Sequence, residues 1–176
     1  MSGHNKWSQI KHKKGASDAM KSKVWGKLAK RIIVESKIAN GDVTSPTLRT
    51  WIEKAKAANM PKDNIDRAVK KGVSNDAGAM DSVVYETYGP GGSAILIEAL
   101  TDSRNRTAQE IKHLLSERGL ELASPGSAAW AFKKTNDGYE ATTTVPLSEA
   151  DTEQLMKILE DIDAHDDVEE VYTNVA

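Results

Sequence analysis

The sequence predicts an α+β protein: an N-terminal three-helix domain followed by a small mixed α/β sandwich, with an antiparallel-rich sheet and two helices. Three observations predict this fold class. Apolar residues recur at helical spacing within residues 17–72. A stretch rich in Ser, Asn, Gly and Ala over residues 73–80 has the composition of a linker. Residues 81–176 then mix strand and helix patterns without strict βα alternation. The predicted domains are therefore 1–72 and 81–176.

The first helix is predicted over residues 17–39, after an extended basic arm formed by residues 1–16. Apolar residues recur there every four positions, which places them on one side of a helix. These residues are Met20, Val24, Leu28 and Ile32, joined by Trp25. Ser17 is the expected N-cap, and Asn40-Gly41 is the stop signal.

Two shorter helices are predicted next. The second begins at Pro46, with Ser45 as the expected N-cap. Its apolar positions are Leu48, Trp51, Ile52 and Ala55. Met60-Pro61 ends it, because a residue before proline disfavours the helical region. The third helix is predicted over residues 62–71, with Gly72 just after its end.

The second domain is predicted to open with a β-hairpin. Strands over residues 82–88 and 93–100 flank Gly89-Pro90-Gly91-Gly92, whose simplest role is a turn. A helix is predicted over residues 107–118, ending at Gly119. Strands over 128–134, 139–145 and 168–175 and a helix over 149–164 complete the domain. Trp130 and Phe132 are expected on one face of the first of these strands.

Composition excludes several classes of protein. The 176 residues include no cysteine, which excludes disulfides, zinc–thiolate sites and iron–sulfur ligation. No apolar run approaches the roughly 20 residues that span a bilayer, and residues 1–14 lack the apolar stretch of a signal peptide. No nucleophile–base pair, histidine metal set or P-loop is visible. We therefore expect a cytoplasmic protein that is not an enzyme and has no metal, cofactor or membrane partner. We also expect a monomer.

The net charge of −2 hides a strong separation of charge along the chain. Residues 1–75 hold 17 lysines and arginines against 6 acidic residues, whereas residues 76–176 hold 7 against 20. This asymmetry favours a polyanion partner for the basic part. The alternative is that the two parts only attract each other.

The candidate nucleic-acid-binding residues are mainly basic side chains of the arm (residues 1–16) and of the first predicted helix (residues 17–39). They are Lys6, Trp7, Lys11, His12, Lys13, Lys14, Lys21, Lys23, Lys27, Lys30, Arg31 and, further on, Lys62. Trp7 is interpreted first as a buried anchor, with stacking on a nucleobase as the alternative. Lysines act as point charges, which favours backbone contacts over base readout and mildly favours structured RNA.

Two further segments leave alternatives open. Arg104 and Arg106 lie between a predicted strand and a predicted helix, where they form either a second anion site or internal salt bridges. At the Met60-Pro61 turn, Met60 either fills the core or is exposed at a rigid tip with Lys62 beside a phosphate.

Several motifs in order resemble the YebC family (YebC/PmpR). They are Gly3-His4-Asn5-Lys6-Trp7, residues 10–14, 57–65, 88–92, 101–107, 126–132 and the ending 166–174. They cover nearly the whole chain. Members of the family usually carry a third domain inserted in the second, after the Trp-x-Phe strand. Here Phe132-Lys133-Lys134 leads almost directly to Tyr139, so this domain is expected to be absent near residues 135–138.

The resemblance implies a nucleic-acid-binding regulator of gene expression, a probable transcriptional regulatory protein that binds DNA. It also implies an alternative, a ribosome-associated translation factor that binds ribosomal RNA and relieves proline-dependent stalling. A mitochondrial relative is a translational activator for a cytochrome oxidase subunit. An interaction adaptor that docks through its acidic domain is a third hypothesis, from a different class.

Overall fold

The computed structural model describes residues 18–75, 78–136 and 138–176. The chain divides into two compact units, with the boundary between Met80 and Asp81. We call residues 18–75 the helical unit and residues 81–176 the α+β unit. The predicted arm and the predicted N-cap Ser17 lie outside the described residues. The independent folding of domains 1–72 and 81–176 stays a prediction.

The helical unit contains three helices, as the apolar periodicity predicts. They are α1 (Asp18–Ile38), α2 (Pro46–Ala57) and α3 (Lys62–Val73). Their buried core consists of Ile32, Leu48, Ile52, Ala55, Met60, Ile65 and Ala68. Ser45 stands at the N-cap of α2 but makes no side-chain capping bond, so proline at the first helical position marks this start alone.

The side of α1 that packs on the core agrees in part with the predicted one. Val24 is 44% exposed, and the side chain of Met20 lies outside the described residues. Trp25, Leu28 and Ile32 of the predicted set do pack in the core, and Ala29 and Ile33 join them. A four-residue repeat drifts around a helix of 3.6 residues per turn, and contact with α3 selects which residues are buried.

The α+β unit is built on a four-stranded antiparallel sheet. Its strands are β1 (Asp81–Tyr88), β2 (Ala94–Thr101), the short β3 (Leu122–Ala123) and β6 (Val168–Thr173), in the order β3-β1-β2-β6. The predicted hairpin is present, with Tyr88 opposite Ala94. Two helices, α4 (Arg104–Glu117) and α5 (Glu149–Asp163), accompany the sheet. The predicted α+β fold class is thus confirmed.

The central strand β2 is covered on both faces, because its side chains alternate between two cores. Ile95 and Ile97 join the core formed with α4 and α5. Ala94 and Leu96 join a second core that includes Ala128, Ala131 and Tyr172. The β2 sequence is therefore a continuous apolar run rather than an alternating one.

The strand predicted over residues 128–134 is wrong in its first part. Ala129–Ala131 forms a single 3₁₀ turn, and β4 (Phe132–Thr135) begins after it. Trp130 is 59% exposed while Phe132 packs against the second core, so they do not share a strand face. β4 pairs with β5 (Gly138–Ala141), and Thr135 stands opposite Gly138. β4 therefore leads directly into β5, at the place (residues 135–138) where the inserted third domain was expected to be absent.

None of the helices in the described ranges combines the length and the apolar character needed to cross a bilayer.

Candidate nucleic-acid interface

The described residues of the helical unit carry a marked excess of positive charge. Residues 18–75 hold 13 lysines and arginines against 6 acidic residues. On α1, Lys21 and Lys23 are exposed, while Lys27, Lys30 and Arg31 are half-buried. The predicted residues Lys6, Trp7, Lys11, His12, Lys13 and Lys14 lie outside the described part of the chain. The candidate interface described below therefore rests on the three helices.

Arg31 is held against α2 rather than presented outward. Its guanidinium carbon lies 5.1 Å from the centroid of the Trp51 ring, and its Nε lies 3.8 Å from a carboxylate oxygen of Glu35. The ammonium group of Lys54 lies 4.2 Å from the same ring centroid. The Arg31 cation–π contact joins α1 to α2, whereas the Lys54 contact lies within α2. The Lys54 contact follows from the i, i+3 spacing within α2, whereas the Arg31 contact needs the tertiary structure.

A groove of about 510 Å³ lies between α1 and α3. Its α1 wall includes Ser22, Gly26 and Ala29, and its α3 wall includes Arg67 and Lys71. A Cβ atom added at Gly26 would meet nothing within 4 Å, so the groove is open there. Arg67 and Lys71 are both exposed. They lie on one side of α3, because residues four apart are neighbours on a helix surface.

Arg67 is oriented by neutral groups. Its Nε donates to the backbone carbonyl of Asp63 at 3.3 Å, and its Nη2 donates to the side-chain oxygen of Asn64. Neither acceptor is a carboxylate, so these contacts leave the guanidinium charge available to a phosphate. Sequence reasoning missed Arg67 and Lys71, although their i, i+4 spacing on the third predicted helix was a readable signal.

The Met60-Pro61 turn places its two candidate residues differently. Met60 is 6% exposed and belongs to the core of the helical unit. The hypothesis of an exposed methionine tip is therefore wrong, because the side chain packs inward. Lys62 is exposed in the first turn of α3.

Arg104 and Arg106 form the internal ion pairs that were one of the two alternatives. The Nε of Arg104 lies 3.2 Å from Asp81, and Arg106 lies 2.9 Å from Asp102 and 2.7 Å from the buried Asp167. The hydrogen bond to Asp167 is the main reason why the pKa of Arg106 is raised. A phosphate at this place would have to displace these carboxylates, so the second anion site gains no support from the geometry.

Among the described residues, the fold brings together one group of possible metal ligands. Glu110, His165 and Asp167 bring ligand atoms within 4.8 Å of one another. The Nδ1 of His165 accepts from the backbone amide of Asp167 at 3.1 Å, and its Nε2 lies 2.9 Å from Glu110. Arg106 already supplies a cation to Asp167. The arrangement is therefore a network of ion pairs and hydrogen bonds between α4 and the residues just before β6.

These features define a class of protein in which a basic three-helix unit precedes an α+β unit with an antiparallel sheet. The profile of the TACO1/YebC protein N-terminal domain matches residues 5–75. The profile of the TACO1/YebC second and third domain matches residues 80–137. The chain belongs to the TACO1/YebC family.

Curated relatives carry the name "probable transcriptional regulatory protein". One from Petrotoga mobilis is 45% identical over 181 residues, with 98% of this chain and 70% of the relative covered. One from Thermotoga petrophila is 47% identical over 169 residues, with 94% and 65% covered. This chain thus spans about two thirds of the length of these relatives.

The same fold occurs in a solved structure. The crystal structure of a conserved hypothetical protein from Aquifex aeolicus matches with a TM-score of 0.85 and 28% sequence identity. The match covers 97% of this chain and 96% of that one. It includes both the helical and the α+β parts of the chain.

Proposed function

We propose that this protein is a nucleic-acid-binding regulator of gene expression that acts as a monomer in the cytoplasm. The observation that carries this proposal is the basic surface of the helical unit, with 13 basic against 6 acidic residues and with Arg67 and Lys71 exposed beside an open groove. Charge of this density attracts a polyanion. The name of the curated relatives supports a role in regulation.

The basic residues of the helical unit favour contact with the phosphate backbone. Ten of the 13 are lysines, which offer a point charge rather than a planar donor pair. Of the arginines, Arg31 is held by Trp51 and Glu35. Base readout in the major groove usually uses bidentate Arg, Asn or Gln contacts. The protein therefore recognises its target mainly by charge and shape.

Two targets fit this mode of binding. DNA is the first, because the name of the relatives gives a role in regulating transcription, which takes place on DNA. Ribosomal RNA is the alternative, and the lysine-rich surface favours it because structured RNA is recognised largely through shape and backbone. Sedimentation of the tagged protein with ribosomes, with and without nuclease, beside genome-wide DNA crosslinking separates the two. Enrichment at chromosomal sites without ribosome association would support the DNA target.

The interface is tested by neutralising the groove. Binding of the full chain to a fluorescent RNA or DNA duplex is measured against salt for Arg67→Gln/Lys71→Gln. A matched control, Lys112→Gln/Lys157→Gln, removes the same charge from exposed positions on the α+β unit. The groove variant should bind more weakly, and the slope of log affinity against log salt should fall by about 2. Equal slopes for both variants would show that the groove does not bind phosphate.

A further inference from the structure

Two aromatic side chains are exposed together on the α+β unit. Trp130 is 59% exposed and Tyr88 is 38% exposed. The indole Nε1 of Trp130 donates to the Tyr88 hydroxyl at 2.8 Å, although the two residues are 42 positions apart. We call this pair the aromatic platform. It lies where β1 ends and where the 3₁₀ turn before β4 begins.

The polar atoms of the platform are already used inside the protein. The Tyr88 hydroxyl accepts from Trp130 and donates to the backbone carbonyl of Ser127. The single hydrogen-bond donor of the indole is taken up by Tyr88. What the pair offers to another molecule is therefore ring surface rather than hydrogen-bond donors.

Glu86 holds the segment that carries Trp130. Its buried carboxylate accepts from the backbone amides of Gly126 at 2.7 Å, Ala128 at 2.7 Å and Ala129 at 2.8 Å. Glu86 and Tyr88 are two residues apart on β1, so they extend from the same face of the sheet. The platform is thus fixed before any ligand arrives, which lowers the entropy cost of binding.

Positive charge follows the platform along the chain. Lys133 and Lys134 lie on β4 and are both exposed. Lys133 pairs with Glu140 at 2.9 Å. They form one adjacent pair among only seven basic residues in the acidic part of the chain, residues 76–176. A lysine a few residues from a stacking surface is complementary to a nucleotide, which carries its phosphate next to its base.

We propose that the Tyr88–Trp130 platform stacks on an unpaired base of single-stranded nucleic acid, with the adjacent phosphate near Lys134. A proline-rich peptide is the other ligand that aromatic pairs bind, through ring packing in an aromatic-lined groove. Such a peptide also presents backbone carbonyls to donors, and here the indole and hydroxyl donors face inward. A base needs only the ring surface. This inference rests on the proposed nucleic-acid-binding function but assigns a separate site on the α+β unit.

The test compares single-stranded and duplex probes on the full chain. The probes are a 12-nucleotide oligouridylate and an RNA duplex of the same length. Trp130→Leu should weaken oligouridylate binding about tenfold and leave duplex binding within twofold, because paired bases are not available for stacking. Trp130→Phe should retain most of the affinity. Ile38→Ala, which truncates a side chain that is 71% exposed, is the control.

Two further measurements keep the test decisive. Oligouridylate should quench a part of the tryptophan emission that is missing in Trp130→Leu. Lys134→Gln, which leaves the rings intact, should reduce the salt slope for oligouridylate by about 1. Parental oligouridylate affinity in both Trp130→Leu and Lys134→Gln would overturn the proposal. A second result would also overturn it: Trp130→Leu binds oligouridylate as the parent does but no longer binds a proline-rich peptide or no longer self-associates. That result would assign the platform to a protein partner.

The outcomes separate this inference from the proposed function. Arg67→Gln/Lys71→Gln should reduce the affinity for both probes, since both carry phosphates. Suppose that this variant binds both probes as tightly as the parent, while Trp130→Leu loses binding of oligouridylate only. The groove is then not the phosphate-binding site, and the proposal for the platform is supported. Suppose instead that the groove variant binds both probes more weakly and that Trp130→Leu binds both as the parent does. The proposal for the platform is then wrong, and the groove is supported as the binding site.

Discussion

Gly72 and Ser36 lie in direct contact where α3 crosses α1. A Cβ atom on Gly72 would come 2.6 Å from the Cβ of Ser36 and 2.6 Å from the backbone carbonyl oxygen of Ile33. The Ser36 hydroxyl donates to the carbonyl of Val69 at 2.7 Å, which joins the two helices at the same level. The sequence predicts Gly72 as the residue after the helix. Gly72 lies instead inside α3. A glycine is needed at this position because any side chain would prevent the close approach of the two helices.

The variant Gly72→Ala should destabilise the helical unit by about 1–3 kcal/mol, since the added methyl group has backbone on one side and cannot be accommodated without movement. Urea denaturation followed by tryptophan fluorescence measures this, because Trp25 and Trp51 pack against that core. Unchanged stability would contradict the close contact.

Gly26→Ala is the matched substitution with the opposite expected sign. The added Cβ would meet nothing within 4 Å, and alanine is a better helix former than glycine. Stability should rise by up to about 1 kcal/mol in the same urea experiment. A loss of stability would show that the groove beside Gly26 is filled in the folded protein.

Met60→Ala should cost roughly 2–5 kcal/mol, because it removes a side chain that is 6% exposed and packed in the core. The exposed neighbour Lys62 provides the control, and Lys62→Ala should change stability by less than about 0.5 kcal/mol. Thermal melting of both variants checks the prediction. Parental stability of Met60→Ala would contradict the packing of this side chain in the core.

Glu86 should make stability depend on pH. Burial alone would raise the pKa of its carboxyl, but hydrogen bonds from the amides of Gly126, Ala128 and Ala129 outweigh burial and lower it below 4.5. A lowered pKa means that this contribution to stability is present above pH 4.5 and is lost as the pH falls through the folded-state pKa. Glu86→Gln should therefore be less stable than the parent at pH 7, by about 1–3 kcal/mol.

The measurement is the free energy of unfolding of the parent and of Glu86→Gln between pH 7 and pH 3. The difference between them should begin to shrink below pH 4.5, where the carboxyl of the unfolded chain is protonated first, and should be lost as the pH falls through the lower pKa of the folded state. A difference that stays constant over this range would contradict the role of the charged form.

The predicted domain boundary is open to limited proteolysis of the full chain. Ser74, Asn75, Gly78 and Ala79 are exposed. A protease of broad specificity should cut first within residues 74–80 and leave two resistant fragments, which mass spectrometry identifies. First cuts inside α1 or inside the β1–β2 hairpin would contradict two independently folded domains.

Local sequence signals predict the second and third helices and the β1–β2 hairpin well. Proline at the first helical position marks the start of α2, and the Gly-Pro-Gly-Gly turn marks the hairpin. These signals depend on neighbouring residues only. The start of α4 is predicted three residues too late, because Ser103 caps the helix by accepting from the Arg106 amide.

By itself, the sequence determines the separation of charge, the order of helices and strands and the family resemblance, since these follow from composition, periodicity and short motifs. The tertiary structure decides which charged and apolar residues face a partner. It pairs Arg106 with Asp167 across 61 positions and Trp130 with Tyr88 across 42. It also buries Met60 and leaves Val24 exposed. Such contacts join residues far apart in the chain, so only packing of the helices and the sheet brings them together.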